Sequence, residues 1–409
     1  MATSNFTCRG CGSQQIAVLL EMGSLPLANA FVKDPSGTDD HFRESITLVM
    51  CEACTLIQIR EEVPREKLFG SYLWVSGTSE TAKKHAVWLS KRLRERHYRP
   101  GASFLVEVAS NDGFFLEHYR EAGFDILGVD PSNLAEEADR RGVPSIRTFF
   151  GRAVAERIQK ERSKANVMVA RNVLGHSSEL QDLVAGIQDL LAPEGTLVLE
   201  VPYAFFLRNE IQYDTIFHEH ISYLTIGSVA NLMGRFGMKI TDISFVDMNG
   251  GSALCEIVHQ DSPIPRGDQA FLDFEELIEL NKPCGWRYFT ESVHNQRAAF
   301  VALLEDLARQ GKTVVGYGAA AKCMTMLNYC GVTPKLLRAM GDANPRKQGL
   351  LCPGVRIPVV SPQQLLELNP DYIMIGAWNF REEIIRFFRD KMGYRNRFIV
   401  PLPAPRVLE

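Results

Sequence analysis

Three ionisable side chains in a row, His218, Glu219 and His220, stand in the otherwise apolar stretch IFHEHISY, directly after the acidic and aromatic stretch NEIQYDT. Such a triplet could ligate a metal, transfer a proton or solvate a loop. In an extended segment His218 and His220 share one face and Glu219 points the other way, whereas a three-ligand facial site needs all three on one side. Proton transfer suits the triplet better, because an imidazole titrates near physiological pH.

A second group has metal-ligand spacing. Cys8-x-x-Cys11 and Cys51-x-x-Cys54 form two knuckles with small residues inside them (RGCG, CEAC). Four thiolates paired in this way converge tetrahedrally on one zinc and leave no position for water, so the expected metal is structural. The knuckles are 39 residues apart, more than a compact ribbon needs, so a small subdomain must fold between them. Two buried thiol pairs or a redox site are the alternatives.

A third group lies in SFLVEVASNDGFFLEHYREAGFDILGVDPS, which reads as strand, polar turn, helix and strand. Glu107 and Asp130 are 23 positions apart at two strand ends, an interval suited to holding ribose hydroxyls of a nucleoside. The turn Ser110-Asn111-Asp112-Gly113 has a single glycine, where a pyrophosphate-binding turn would have several. A carboxylate at Asp112 repels phosphate and suits a ligand with an ammonium and a sulfonium, which favours S-adenosylmethionine over NAD. The simpler role for Asp112 is a helix cap.

These groups need elements to position them. ANVMVAR and GTLVLEVPY read as further buried strands, and ELQDLVAGIQDLLAPEG between them as a helix ending at Pro193 and Gly195. The span 101–260 therefore alternates strand and helix, as a doubly wound parallel sheet does. IFHEHISY follows its fifth strand, beyond the carboxyl edge, where it can overhang a ligand crevice. Farther on, WRYFTESVHNQRAAFVALLEDLARQGK reads as a long amphipathic helix ending at Gly311, and KTVVGYGAAAKCMTMLNYC as strand, glycine turn and helix. Gly316-Tyr317-Gly318 lets a phosphate approach that helix. No acidic ribose-binding residue is clearly placed after it, although Gly341-Asp342 closes a later apolar run. Lys322, Arg346 and Lys347 could neutralise a diphosphate, or could be solvated surface lysines and arginine.

The fold expected is α/β in four parts: a four-cysteine zinc domain (1–65), a helical connector (66–100), a doubly wound S-adenosylmethionine-binding domain (101–260) and a Rossmann-like domain (261–409). The composition agrees: 409 residues, 45% hydrophobic and 23% charged. A net charge of −4 with no long basic run argues against nucleic-acid binding. No apolar run reaches about 18 residues, so no membrane span is expected. The first residues lack an apolar h-region, so no secretory leader is expected, and the nine cysteines suit a reducing cytoplasm. A monomer is the expectation.

Taken in order, the four cysteines, VEVASNDGFFL, GVDPS, RNVLGH, FHEH, GYGAAAK, LNYCG, NPRKQG and WN resemble the C-methyltransferases of nucleotide-deoxysugar biosynthesis. Those enzymes methylate C-3 of a 4-keto sugar, and the resemblance covers nearly the whole chain. It implies an N-terminal zinc domain, a central class I S-adenosylmethionine domain, and a C-terminal domain closing over a nucleoside-diphosphate 4-keto-6-deoxysugar, the dTDP sugar being favoured. It implies His220 as the base, Glu219 as orienting the sugar or sharing the proton, and His176 as a further active-site histidine. It places Tyr72, Pro131, Ser132 and Asn172 in the cofactor pocket with Glu107, residues 110–113 and Asp130. It places Trp74, Phe217, Trp378, Asn379 and the three cations Lys322, Arg346 and Lys347 around the sugar nucleotide.

The chain departs from the family where Phe217 replaces a tyrosine and, in SYLWVSGTS, where one tyrosine of an aromatic-rich segment is replaced. The reaction class survives these changes; the sugar's stereochemistry or C-3 substituent does not follow. An O- or N-methyltransferase would keep the donor and zinc features without needing the base. A non-catalytic assembly protein would lack donor binding, and an NAD oxidoreductase would need an acidic partner for the glycine turn.

Overall fold

The computed structural model describes residues 6–33, 42–64, 67–68, 77 and 80–409. Tyr72 and Trp74 lie outside the described residues. Among the described residues there are three sheets, and no helix is long and apolar enough to cross a membrane.

The first sheet is antiparallel: β1 (Ile16–Pro26), β2 (Arg43–Cys51), β3 (Ile57–Ile59) and, from far along the chain, β9 (Ser222–Tyr223). Ile57 pairs with Tyr223 and Gln58 with Ser222. Each cysteine knuckle closes in the same way. The amide of Gly12 donates to the Cys8 carbonyl at 2.8 Å, and that of Thr55 to the Cys51 carbonyl at 2.8 Å. The closing residue is left-handed in both, φ 76° at Gly12 and φ 62° at Thr55. Glycine takes that conformation without strain, so the first knuckle fits its sequence better than the second.

The second sheet is seven-stranded, in the order β10-β11-β8-β7-β4-β5-β6. Its members are β4 (Phe104–Val108), β5 (Asp125–Asp130), β6 (Ser145–Arg147), β7 (Ala165–Arg171), β8 (Leu191–Pro202), β10 (Met238–Val246) and β11 (Ser252–His259). β6, β5, β4, β7 and β8 run parallel, as the sequence implied. β11 and β10 do not; they form a hairpin antiparallel to β8. The Met248–Ser252 turn between them is too short for the crossover that a parallel pair requires. The order reverses between β4 and β7, so the ligand crevice of this doubly wound sheet lies at their carboxyl ends. At β5, a Cβ on Gly128 would come within 2.5 Å of Ser110 Oγ and 2.8 Å of Leu116, so only glycine lets the turn and the Phe114–Glu121 helix sit this close. The helix preceding β8 is Leu180–Leu190 and stops before Pro193 rather than at it, because residues from Leu191 onward are already extended.

The third sheet is β14-β13-β12-β15-β16-β17. Its strands are β12 (Val314–Tyr317), β13 (Met340–Gly341), β14 (Val359–Val360), β15 (Tyr372–Ile375), β16 (Arg397–Val400) and β17 (Arg406–Leu408). All are parallel except the last. The expected long helix is Arg287–Arg309; it buries Phe289, Val293, Gln296, Phe300, Leu304 and Leu307, one face at helical spacing. A contiguous apolar core runs through all three sheets and includes Leu20, Ile57, Leu199, Tyr213, Phe300 and Val315.

Candidate active site

The metal-ligand group comes together as its spacing implies. The four cysteine sulfurs lie within 4.8 Å of one another, with Cys8 to Cys54 and Cys11 to Cys51 each at 3.5 Å. Gln58 Nε2 and the Gly10 amide donate to Cys8 Sγ at 3.1 and 3.3 Å. The Cys54 thiol, then these donors, hold the Cys8 thiol down at about 5 against its burial. Four convergent sulfurs with amide donors behind them fit a tetrahedral zinc.

At the carboxyl ends of β4 and β5, Asp130 is the organising acid. Its carboxylate accepts from the Asn111 amide at 2.9 Å, the Ser132 amide at 2.8 Å and Ser132 Oγ at 2.5 Å. Ala109 and Asn111 are both left-handed, at φ 58° and φ 53°. A non-glycine residue there costs about 1–3 kcal/mol, so the surroundings enforce this turn, a feature common at binding loops. Asp112 lies at the helix start, where its Oδ1 accepts weakly from the Phe114 amide at 3.4 Å and Arg141 binds its carbonyl. Burial raises its pKa. At the end of β7, Asn172 is left-handed at φ 54°, and its buried Oδ1 has no hydrogen-bond partner among the described residues. Such an orphaned acceptor suits a bound polar ligand. Together Asp130, Asn111, Ser132 and Asn172 fit a nucleoside cofactor at the switch point.

One residue expected in that pocket does other work. Glu107 is fully buried and paired with Arg171, at 2.8 Å to Nη2 and 2.9 Å to Nε, so it braces the sheet rather than meeting a ribose. Burial raises its carboxyl to about 7, opposed by the Arg171 charge, and the guanidinium also stacks 3.3 Å over the Phe115 ring. Ser110 Oγ is buried beside Gly128 and, like Asn172 Oδ1, has no hydrogen-bond partner among the described residues. Strand spacing placed Glu107 near the ligand, but side-chain alternation turns it into the sheet's helix-covered face.

FHEH is a tight turn, not an extended segment; the His220 amide donates to the Phe217 carbonyl at 2.8 Å. The expected shared face of His218 and His220 is therefore absent, and the three ionisable groups point to three places. His218 Nε2 donates to the Glu44 carbonyl on β2 at 3.1 Å. Glu219 Oε1 accepts from Asn29 Nδ2 at 2.8 Å. His220 Nδ1 donates to the Thr215 carbonyl at 3.0 Å, because a carbonyl can only accept. Among the described residues, the four cysteines are the only cluster of three or more ligating groups placed to hold a metal.

His220 is held in a definite electrostatic state. Burial, then His176 and Lys322, push its pKa well below the ordinary value, and the Thr215 carbonyl opposes them. The ring is therefore neutral with a bare Nε2. His176 meets it edge-on at 4.7 Å, and Phe217 lies against it at 4.0 Å. Burial lowers His176 to about 4, so both rings are neutral near pH 7. Burial also raises Glu219 to about 7, with the Asn29 amide opposing.

The C-terminal sheet completes the site. The helix Ala321–Cys330 packs on the turn Tyr213–Thr215. Trp378 Nε1 donates to Asp214 Oδ2 at 2.7 Å, Lys322 Nζ donates to Asn379 Oδ1 at 3.1 Å, and the ammonium sits 4.6 Å over the Trp378 ring. Lys322, Trp378 and Asn379 are thus brought together beside His220. Lys347 is tied to the Ala319 carbonyl at 2.7 Å and to Asp342 at 3.5 Å, while Arg346 is exposed. The glycine turn does have an acidic partner: Asp342, at the end of β13, accepts from the Ala319 and Asn344 amides at 2.9 and 2.8 Å. Those bonds, with Lys347, already occupy its carboxylate.

Sequence reasoning missed Asn29, Asp214 and Thr215. Asn29 sits in PLANAF, which carries no motif, and it meets a carboxylate 190 positions away. Asp214 was visible only as an acid beside the histidines.

Three family profiles match the chain: a zinc binding domain over residues 8–69, a methyltransferase domain over 82–243 and the C-methyltransferase C-terminal domain over 247–403. The C-methyltransferase NovU of Streptomyces niveus is 33% identical over 408 residues, covering 98% of this chain and 96% of the relative. Among solved structures, PH0226 of Pyrococcus horikoshii OT3 is 15% identical, with a TM-score of 0.37 over 48% of this chain and 98% of that one. A magnesium protoporphyrin IX methyltransferase of Synechocystis PCC 6803 is 12% identical, with a TM-score of 0.34 over 48% and 92%.

Proposed function

The chain belongs to the C-methyltransferase family whose zinc-binding, methyltransferase and C-terminal domains it carries in order, and we propose that it methylates C-3 of a nucleoside-diphosphate 4-keto-6-deoxysugar, with the dTDP sugar as first candidate. It is an S-adenosylmethionine-dependent methyltransferase with a zinc-binding N-terminal module. Asp130, Asn111, Ser132 and Asn172 would hold S-adenosylmethionine, which when bound would supply an electrophilic methyl group on a sulfonium.

One observation carries the carbon chemistry: His220 commits its Nδ1–H to Thr215 and leaves Nε2 as a lone-pair acceptor. The ketone at C-4 acidifies the C-3 hydrogen, and a neutral imidazole with a bare nitrogen is the group to remove it. Phe217 and His176 exclude water from the ring and keep it unprotonated between turnovers. Glu219, with a carboxyl near neutrality and fixed by Asn29, orients the sugar or shares the proton.

The test is mass spectrometry and NMR of products formed from a panel of nucleotide 4-keto-deoxysugars. A methyl carbon attached to C-3 is expected, and His220→Asn should lower turnover by about 10²–10⁴-fold with donor binding intact. A methyl on oxygen or nitrogen, or near-wild-type turnover of the variant under chemistry-limited conditions, would refute the assignment.

A further inference from the structure

Taking a proton from C-3 leaves negative charge on the C-4 oxygen, and a donor must meet it there. The side chains around His220 have mostly spent their hydrogens. His220 Nδ1–H goes to Thr215, Tyr223 Oη–H also goes to Thr215 at 3.3 Å, and Trp378 Nε1–H goes to Asp214. Tyr213 Oη–H goes to Gln296 at 2.6 Å. Phe217 has no donor, and neutral His176 keeps one N–H, which pairs with the Glu219 backbone.

Lys322 differs from all of these. It has three N–H bonds, of which Asn379 takes one. Its ammonium is pinned over the Trp378 ring, and Trp378 is itself anchored to Asp214, the neighbour of the residue that orients His220. It lies within Coulombic reach of both His220 and Asp214. A lysine meant only for a diphosphate would have no need of an aromatic wall, a buried carboxylate and a place beside the base. Asp214 balances the ammonium in the resting site. Its buried Oδ1 has no hydrogen-bond partner among the described residues, so the pair can respond to charge arriving nearby.

We propose that the Lys322 ammonium donates a hydrogen bond to the C-4 oxygen as the enolate forms, which makes Lys322 a catalytic residue of the proton-abstraction step. The inference rests on the C-3 methylation reading. In that step His220 Nε2 bonds to the C-3 hydrogen as the C–H bond breaks. The released pair becomes the C-3–C-4 double bond, and the carbonyl π pair moves onto the oxygen that Lys322 faces. The enolate then lies between two cations, the imidazolium and the ammonium.

The experiment isolates this half-reaction: exchange of the C-3 hydrogen of dTDP-4-keto-6-deoxyglucose in D2O, without methyl donor, followed by proton NMR. The wild-type protein should exchange and His220→Asn should not. At saturating sugar, Lys322→Met should exchange about 10²–10³-fold more slowly, while its sugar dissociation constant changes several-fold at most. Lys322→Arg, which keeps the charge, should recover part of the rate. Zinc content and donor-induced thermal shift serve as folding controls. A Lys322→Met protein that exchanges at the wild-type rate once saturated, with only its sugar affinity reduced, overturns the proposal and leaves Lys322 a phosphate counter-ion. Absence of exchange in the wild-type protein across the sugar panel is a different result, because it sinks the C-3 reading itself.

Discussion

Asn29→Ala tests whether the N-terminal module controls the ionisation of the active site. Burial holds the Glu219 carboxyl at about 7, against 4.5 for a free one, and the Asn29 amide at 2.8 Å opposes that shift. The folded pKa exceeds the unfolded one, so burying this acid costs nothing below about 4.5 and destabilises increasingly as pH rises to about 7. Above that the cost is constant, at roughly 3 kcal/mol from 1.36 kcal/mol per pKa unit. A hydrogen bond to a charged group is worth about 1.5–3 kcal/mol, so removing Asn29 should raise Glu219 by about one to two further pKa units. The loss of stability in Asn29→Ala should therefore be small at pH 6, where the folded acid is protonated with or without the amide. At pH 8.5–9 it should approach the full 1.5–3 kcal/mol. Thermal unfolding of the variant and the parent at both pH values, repeated in a Glu219→Gln background, measures this as a double-mutant cycle. An equal loss at both pH values, or a pH-dependent loss that persists in the glutamine background, would show that Asn29 does not act through the Glu219 charge.

Removal of zinc, by chelation or Cys54→Ser, should disorder more than the knuckles. β9 pairs with β3, and His218 bonds to β2, so amide exchange should rise across 217–223 while donor affinity stays within about threefold. Unchanged protection of that turn in zinc-free protein would contradict this. Arg171→Met should cost about 3–5 kcal/mol in denaturant unfolding, because the fully buried Glu107 then lacks its counter-charge. Restoration of stability by adding Glu107→Gln would identify the cause, and failure of that rescue would count against it.

The sequence read best where one local rule was enough. The cysteine knuckles depend on short spacing, the buried strands on continuous apolar runs, and the Arg287–Arg309 helix on a repeat that its buried face reproduces. It misled where a second element decides the outcome. Whether Glu107 meets a ligand or an arginine depends on β7 lying beside β4. Whether β10 and β11 are parallel depends on a turn of a few residues. Whether FHEH is extended depends on a single backbone bond from His220 to Phe217. Asn29 could not have been found, since nothing local marks an asparagine whose partner is 190 positions away.

With His220 as the proposed base, the turn from Tyr213 to Tyr223 also accounts for the use of three modules. A base for carbon must be neutral, dry and fixed in one tautomer, and no single element here meets all three needs. The tautomer comes from the Thr215 carbonyl, so it is only as secure as the position of the turn. That position is set on one side by Tyr213 against Gln296 and Asp214 against Trp378. On the other side it is set by β9 in the zinc-bearing sheet and by Asn29 on Glu219. Dryness comes from Phe217 and His176, which are carried by the central module. An error of about 1 Å in placing a reacting group can cost about a hundredfold in rate. Holding the turn from both sides keeps that error small, whereas a turn anchored to the central sheet alone would leave its proton acceptor free to drift.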